Sequence, residues 1–201
     1  MNVDKVGVLF SGGVESTTLL YMYLRKGFLV YPFYVKSGML WENLELENAA
    51  NLWVYTKRLY RNLMAIKIVP YKQSNFLKVP TSEEELFIPA RNLSIIVAVA
   101  PFLRMKGIKT LAIGSLGAYP FPDNSLDYLK KVQELLSIGM AFSVNIEAPL
   151  FGMDKRYIVK SYKDIVPYYL TLSCANPRRI KGKITPCGRC IKCLERFQAF
   201  D

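Results

Sequence analysis

A glycine-containing turn near the N-terminus has the residues needed to bind phosphate groups. The turn Ser11-Gly12-Gly13-Val14-Glu15-Ser16-Thr17 follows a short apolar run and precedes a stretch with helical spacing. Its two glycines allow close approach of the backbone, and the N–H groups at a helix start attract anions. Ser11, Ser16 and Thr17 add hydroxyl donors. The turn therefore predicts a phosphate site, and a glycine turn closed by a Ser or Thr cap is the structural alternative.

Four cysteines near the C-terminus have the spacing of metal ligands. Cys174, Cys187, Cys190 and Cys193 form the pattern C-x12-C-x2-C-x2-C, in which each two-residue gap lets two thiolates face one ion. Four thiolates close a tetrahedral Zn²⁺ site and leave no open position, so we predict a structural metal without direct catalysis. An iron–sulfur cluster and four ordinary buried thiols are the alternatives. Nearby basic residues would offset the negative charge of such a site: Arg178, Arg179, Lys181, Lys183, Arg189, Lys192 and Arg196.

The composition excludes several catalytic mechanisms. The chain has 201 residues and no His, so it contains no Ser-His-Asp or Cys-His nucleophile and no His-based zinc hydrolase site. There are 27 Lys and Arg against 16 Asp and Glu, which gives a formal charge of +11. This balance suits phosphates, nucleic acid or an anionic small molecule. Lysines scattered over the surface would produce the same charge.

Neither a membrane span nor a secretion signal is predicted. The longest uncharged apolar stretch, residues 92–103, has twelve residues, whereas a span needs about 20. Residues 1–5 lack the basic and then apolar pattern of a signal peptide. The closely spaced cysteines suit metal binding in a reducing compartment. We therefore expect a cytoplasmic protein that makes no membrane contact.

Strands and helices alternate along most of the chain, which indicates a doubly wound α/β fold with a mainly parallel sheet. Apolar runs predict five strands, at residues 5–10, 28–35, 63–70, 109–114 and 142–146. Helical spacing predicts five helices, at residues 17–26, 41–61, 92–105, 125–137 and 155–160, and residues 71–90 are predicted to be irregular. Ligands of such folds bind at the carboxyl ends of the strands. We expect a nucleotide-binding domain over residues 1–170, with residues 171–201 as a zinc-binding segment of the same structural unit.

Three motifs, in order along the chain, resemble those of the 7-cyano-7-deazaguanine synthase family. They are the turn Ser11–Thr18, the sequence Pro89-Ala90-Arg91-Asn92, and Cys174 followed by C-G-R-C-I-K-C-L-E-R at residues 187–196. The turn itself is similar to the S-G-G-x-D-S loop of the N-type ATP pyrophosphatases, which have an adenine nucleotide alpha hydrolase-like fold. The resemblance implies an ATP- and Mg²⁺-dependent ligase that adenylates a carboxylate and releases AMP and pyrophosphate. Its substrates would be 7-carboxy-7-deazaguanine and ammonia, and its product a nitrile.

The resemblance also implies roles for residues outside the turn. Arg91 is assigned to catalysis because its planar guanidinium suits phosphate or carboxylate; an ion pair with residues 83–85 is the alternative. Lys155 is also assigned to catalysis, since family members carry a lysine after a similar Pro-Leu stretch. Asn92, Ser115 and Asp123 are weaker candidates for contact with the substrate. Ammonia is the nucleophile in this chemistry, so a chain with no His and no spare Cys can perform it. Family members of this size resemble one another in forming homodimers, so the resemblance also implies a homodimer.

Three departures from the family pattern leave the acceptor open. Glu15 stands where the family has Asp, residues 37–42 lack a G-Q-R-H-like sequence, and residues 119–123 match the family's Y-P-D-C-R motif poorly. One alternative is a sister ATP pyrophosphatase that modifies another small molecule or a tRNA base. Others are an inactive relative and a zinc-bearing nucleic-acid-binding protein. A tRNA thiolase would need a catalytic Cys, and the predicted metal site uses all four. The charge leaves direct contact with tRNA open.

Overall fold

A parallel sheet with helices on both faces forms the body of the protein. The computed structural model describes residues 3–71 and 79–201. Within them, the strands of the main sheet are β1 (Lys5–Leu9), β2 (Leu29–Lys36), β3 (Lys67–Pro70), β4 (Thr110–Ala112) and β5 (Asn145–Glu147). The helices are α1 (Val14–Arg25), α2 (Glu42–Leu59), α3 (Arg91–Lys106), α4 (Leu126–Gly139), α5 (Lys155–Tyr162) and α6 (Ile191–Phe200). The predicted fold class is confirmed.

The strand order places a ligand-binding position at the centre of the sheet. The order is β3-β2-β1-β4-β5, and all four strand pairs are parallel. Val6 of β1 lies opposite Val30 of β2 on one side and Thr110 of β4 on the other. The chain thus winds outward from β1 in one direction and then crosses over to β4. The carboxyl ends of β1 and β4 form the topological switch point, where such folds bind their ligands.

Two apolar cores hold the helices against opposite faces of the sheet. Leu19 and Leu20 of α1, Leu52 of α2 and Ile158 of α5 share one core with Val6 of β1. The other core combines buried residues of α3 and α4 with strand residues: Ile96, Val99, Leu103, Leu129, Val132, Phe33 and Leu111. Each buried aliphatic side chain contributes roughly 1.5–3 kcal/mol by leaving water. Amphipathic helices on a nearly all-apolar sheet therefore account for the layered architecture.

Several element boundaries differ from the expected ones. Helix α1 begins at Val14, three residues before the predicted start, because Gly13 takes the extended conformation of an N-cap (φ −76°, ψ 175°). Strand β3 begins at Lys67, and Leu63 makes only an isolated parallel bridge to Val30. In the predicted irregular segment 71–90, the described part contains a 3-10 turn at Glu84–Leu86, while positions 72–78 lie outside the described residues.

By length and composition alone, the stretch Glu84–Lys106 is the one part of the described chain that could cross a membrane. This stretch of 23 residues includes the 3-10 turn, and 28% of its most apolar window is buried. Helix α3 within it has 16 residues, a length of about 24 Å, which is less than the ~30 Å of a bilayer core. Its buried face packs against the sheet, as expected of a core helix in a layered fold.

The C-terminal segment forms a hairpin and a helix. The hairpin consists of β6 (Arg178–Ile180) and β7 (Lys183–Thr185), which pair antiparallel, and α6 follows it. The cysteines pack in a third core with Met39, Trp41 and Ile88 from the first half of the chain. The Leu172 N–H also donates a hydrogen bond to the Gly12 carbonyl at 3.0 Å. The segment is thus joined directly to the glycine turn.

Candidate active site

The glycine turn presents the start of α1 to solvent-accessible space. Gly12 has a φ of +76°, and a Cβ there would lie 3.1 Å from the Ala49 Cα on α2, so both the conformation and the space require glycine. The Ser16 hydroxyl accepts a hydrogen bond from the Ser11 N–H and donates one to the Gly13 carbonyl, both at 3.3 Å. The first N–H groups of a helix have no partner within the helix. They remain available to an anion bound at the turn.

The residues that follow β4 pack tightly against this turn. A Cβ on Gly114 would lie 3.1 Å from the Glu15 Cβ and 3.2 Å from the Ser16 nitrogen. After Gly114 the chain forms a loop in which the Ser115 hydroxyl donates to the Asn124 side-chain oxygen. The Asn124 amide in turn donates to the Tyr119 carbonyl at 3.0 Å. A cleft of about 820 Å³ opens between the turn and this loop.

Most of the predicted site residues meet in this cleft. Seven of them line it: Ser11, Gly13, Glu15, Arg91, Asn92, Ser115 and Lys155. Five others are buried and are not among the residues that line it: Gly12, Val14, Ser16, Thr17 and Asp123. The individual roles of these residues stay predictions. Their convergence joins four segments that are at least 23 residues apart in the sequence.

The start of α3 is held by a contact that the sequence reading did not anticipate. The Asp123 carboxylate accepts a hydrogen bond from the Asn92 N–H at 2.8 Å, and the Asn92 amide donates to the Asp123 carbonyl at 2.9 Å. Asp123 is only 5% exposed, so it caps α3 from beneath the cleft surface. Within the described residues, the Nε of Arg91 is buried and has no hydrogen-bond partner. Arg91 as a residue lines the cleft, where a guanidinium suits an anionic ligand.

Three charged side chains form a cluster beside the glycine turn. The Lys155 Nζ lies 2.8 Å from the Glu15 Oε1 and 3.0 Å from the Glu195 Oε2. All three side chains are 20–24% exposed. Burial, together with the nearby charge of Glu15, raises the pKa of Glu195 to about 7. Lys155 is the first residue of α5, whose N-cap Asp154 accepts a hydrogen bond from the Tyr157 N–H at 3.0 Å.

Helix α6 supplies cleft residues that sequence reasoning missed. Lys192, Glu195 and Gln198 all line the cleft. The Lys192 Nζ lies 4.8 Å from the centroid of the Trp41 ring, a distance at which a cation and an aromatic ring attract each other. Burial lowers the pKa of Lys192. The three-residue spacing of these side chains places them on one helix face, but the sequence does not say which surface that face contacts.

The excess positive charge of the protein is not concentrated in the cleft. Among the described lining residues, five are acidic: Glu15, Glu45, Glu83, Asp154 and Glu195. Four are basic: Arg91, Lys155, Arg156 and Lys192. Anion binding in this cleft therefore depends on individual cations and backbone N–H groups. The net charge of +11 does not locate the site.

The four cysteines converge as a metal site requires. Their Sγ atoms all lie within 4.8 Å of one another, and none forms a disulfide. Cys190 lies 3.6 Å from Cys193 and 4.0 Å from Cys174 between sulfurs, and Cys187 lies 4.0 Å from Cys193. A tetrahedron of sulfurs about 2.3 Å from Zn²⁺ has edges of about 3.8 Å. The residues thus fit a four-coordinate metal ion.

Backbone groups supply part of the polar environment of the sulfurs. The Cys174 Sγ accepts from the N–H groups of Asn176 (3.3 Å) and Cys187 (3.2 Å), and the Cys190 Sγ accepts from Ala175 (3.3 Å). Burial raises the pKa of Cys174 to about 11 despite these donors. A bound cation would therefore be needed to hold this thiol in its ionised form at neutral pH.

Some of the surrounding basic residues have partners of their own. Arg179 forms an ion pair with Glu47 on α2. Arg196 donates to the Thr171 hydroxyl at 2.7 Å and to the Tyr168 carbonyl at 2.8 Å, and Lys192 lies over Trp41 in the cleft. These side chains connect the cysteine segment to the rest of the fold.

Comparison with known families identifies the chain. The model of the family described as Queuosine biosynthesis protein QueC matches residues 5–201. The chain belongs to this family. A 7-cyano-7-deazaguanine synthase of Pyrococcus furiosus is 31% identical and aligns over 95% of this chain and 90% of its own length. The enzyme of the same name from Picrophilus torridus is 28% identical, with 96% and 85% covered.

A solved structure agrees with the fold. A 4-thiouridine synthetase, crystallised in complex with RNA and bound ATP, superimposes with a TM-score of 0.50 over 92% of this chain and 44% of that one. The two sequences are 20% identical, so this likeness is one of fold alone. The family match covers nearly the whole chain, including both the glycine turn and the cysteine segment.

Proposed function

We propose that the protein is a 7-cyano-7-deazaguanine synthase. In this reaction ATP adenylates the carboxylate of 7-carboxy-7-deazaguanine, pyrophosphate and AMP are released, and ammonia supplies the nitrile nitrogen. One observation supports the proposal above the others. A single cleft at the switch point of the sheet is lined by the glycine turn, Arg91 and Lys155, in a chain whose relatives carry that enzyme name.

The side chains of the cleft suit this chemistry. N–H groups at the start of α1 would bind the leaving pyrophosphate, and Lys155 would neutralise charge that develops on it. The guanidinium of Arg91, which lines the cleft, would contact a carboxylate or phosphate oxygen. The carboxylate oxygen attacks the α-phosphorus of ATP, pyrophosphate leaves, and ammonia then displaces AMP from the acyl-adenylate to give the amide. A second ATP would adenylate the amide oxygen with release of pyrophosphate, and loss of AMP and of the protons on nitrogen would give the nitrile. Positioning and charge neutralisation are sufficient for these steps, and no protein nucleophile is required.

The test is turnover by the full chain loaded with metal. ATP, Mg²⁺, ammonia and 7-carboxy-7-deazaguanine should give AMP, pyrophosphate and the nitrile, detected by mass spectrometry. Lys155→Met should lower kcat/KM by about 100-fold through loss of charge stabilisation. Lys160→Met is the matched control, since Lys160 is an exposed lysine of the same helix, and it should retain full activity. Absence of turnover in folded, metal-loaded protein that binds ATP would reject this substrate.

A second candidate is a sister ATP pyrophosphatase that acts on another planar acceptor. Residues 37–42 and 119–123 depart from the family pattern, and the second segment forms part of the cleft wall. The rings of Tyr119 and Phe121 line the cleft and stack at 5.1 Å with an interplanar angle of 13°. Such a wall suits any planar heteroaromatic ring. A screen of carboxylated purine-like compounds for ATP-dependent pyrophosphate release would identify that acceptor.

We also propose the accompanying groups and the organisation of the chain. Cys174, Cys187, Cys190 and Cys193 would hold Zn²⁺, which stabilises the C-terminal segment and supplies no chemistry to the substrate. Mg²⁺ would enter with ATP. Residues 1–170 and 171–201 would form one structural unit, supported by the bond between Leu172 and Gly12. A cytoplasmic homodimer is the proposed form. An RNA affinity with a steep salt dependence would add tRNA as a partner.

A further inference from the structure

Glu195 lies in the cleft without a role in the proposed reaction. Its Oε2 accepts a hydrogen bond from the Lys155 Nζ at 3.0 Å, and the Glu15 Oε1 lies 2.8 Å from the same ammonium. We propose that Glu195 is a positioning residue, which together with Glu15 holds the Lys155 ammonium beside the glycine turn, ready for the ATP polyphosphate. The inference rests on the proposed function, because it assumes that ATP occupies this cleft.

The place of Glu195 is set by the anchoring of α6. Its neighbour Arg196 donates to both the Thr171 hydroxyl and the Tyr168 carbonyl. Three residues after Glu195 on α6, the Gln198 carbonyl accepts two hydrogen bonds from Arg156 of α5, at 3.1 and 2.9 Å. Cys190 and Cys193 hold the start of the same helix. A carboxylate on a helix fixed at three points is a firm support for a flexible partner.

Lys155 needs such a support to act as a directed donor. A lysine side chain has a flexible four-carbon stem and loses much rotamer freedom when it is fixed. Its ammonium has three N–H donors. Glu15 and Glu195 accept two of them, which leaves the third for a ligand oxygen. Two carboxylate contacts define where that donor lies, whereas Glu15 alone would let the ammonium rotate around one contact.

The sign of a mutational effect distinguishes this role from simple electrostatics. In its ionised form Glu195 is negative and lies in a cleft where a polyphosphate would bind, so its charge alone opposes ligand binding. On charge alone, its removal would tighten ATP binding. If Glu195 positions Lys155, its removal weakens ATP binding in spite of the lost repulsion. The effect must then also depend on the presence of Lys155.

The experiment is calorimetric titration of the metal-loaded chain with MgATP at about pH 8.5, where Glu195 is ionised. Glu195→Gln should weaken binding about fivefold, within the usual range for coupled side chains. Glu195→Asp, which keeps the charge but has a shorter reach, should weaken it as well. Glu134→Gln, an exposed carboxylate on α4, is the control and should bind as the wild type does. In a Lys155→Met background, Glu195→Gln should cause no further loss.

The possible failures are distinguishable. Wild-type protein that binds no MgATP overturns the proposed function and this inference with it. Wild-type protein that binds, together with a Glu195→Gln variant that binds equally well or more tightly, overturns the inference alone. An equal loss in the Lys155→Met background also overturns it, because a general structural defect would not depend on Lys155. Circular dichroism and metal content, measured for each variant, confirm that the proteins compared are folded.

Discussion

The glycine turn and the C-terminal segment contribute to the same cleft in different ways. In the turn, Ser11, Gly13 and Ser16 bond to one another within five residues of sequence. In the C-terminal segment the contacts span long distances: Glu195 pairs with Lys155, and Arg196 bonds to Thr171. The sequence of a local motif therefore indicates its chemistry directly. The sequence of a segment that is fixed by distant contacts indicates its metal ligands, but not the residues that it contacts.

The two regions depend on each other where they meet. Leu172 donates a backbone hydrogen bond to Gly12, and Lys155 bridges Glu15 of the turn and Glu195 of α6. A change in either region should therefore alter the cleft, but by different physical routes. Variants of the cysteine segment should act through folding, and variants of the turn through the shape of the phosphate site.

The largest effect is expected from the metal site. Cys190 is 1% exposed and is the N-cap of α6, so Cys190→Ser should lower the stability by about 3 kcal/mol and the Tm by roughly 10 °C. MgATP affinity should fall with it, because α6 loses its anchor. Metal analysis, thermal denaturation and titration measure these changes. A zinc chelator should reproduce them in the wild type, and added Zn²⁺ should reverse the chelator effect. Full ATP affinity in metal-free protein would contradict the coupling of the two regions.

A smaller loss of stability is expected from the turn. Gly12→Ala forces an alanine into φ +76° and brings its Cβ within 3.1 Å of the Ala49 backbone, which should cost about 2 kcal/mol. Urea denaturation gives the stability, and titration should show loss of MgATP binding. Gly139→Ala is the matched control, since nothing lies within 4 Å of its Cβ position in α4. It should stabilise the protein by about 0.5–1 kcal/mol. A neutral Gly12→Ala variant would mean that α2 can move away from the turn.

The smallest effect is expected from a substitution of Lys192, a residue of α6 that lines the cleft. Lys192→Met removes a cation above Trp41 and should raise the KM for the anionic ligands about fivefold, which corresponds to ~1 kcal/mol, with little change in Tm. Lys183→Met, in the exposed strand β7, removes the same charge outside the cleft and should leave the KM unchanged. Equal effects of the two variants would show that the overall charge of the protein, rather than the position of Lys192, attracts the ligand.

Much of the fold could be predicted because its signals are local. Alternating apolar runs and helical stretches indicate the parallel sheet, and the five predicted strands match β1 to β5 with shifted ends. The boundaries were less accurate, because they depend on contacts. Helix α1 begins early through the N-cap conformation of Gly13, and β3 begins late because Leu63 makes only one bridge. Helix α6 is not among the predicted helices, because residues 171–201 are predicted only as a zinc-binding segment.

The candidate site could be predicted only in part for the same reason. The glycine turn and the cysteines are recognisable from residue type and spacing. The substrate contact expected of Asp123 stays a prediction, and the structure adds a hydrogen bond from the Asn92 N–H to its carboxylate, which depends on how two distant segments pack. Lys192 was assigned to offset the charge of the cysteine site, and the structure places it in the cleft.

The sequence by itself determined the chemistry that is available: a phosphate-binding turn, four metal ligands, and no histidine. Tertiary structure alone decided which charges face one another. The +11 charge is an example, since the described cleft wall carries more carboxylates than cations. Lys155 is another, because its two carboxylate partners lie 140 and 40 residues away in sequence. Residue types and spacing are properties of the chain, whereas the partners of a side chain depend on which surfaces the folded core brings together.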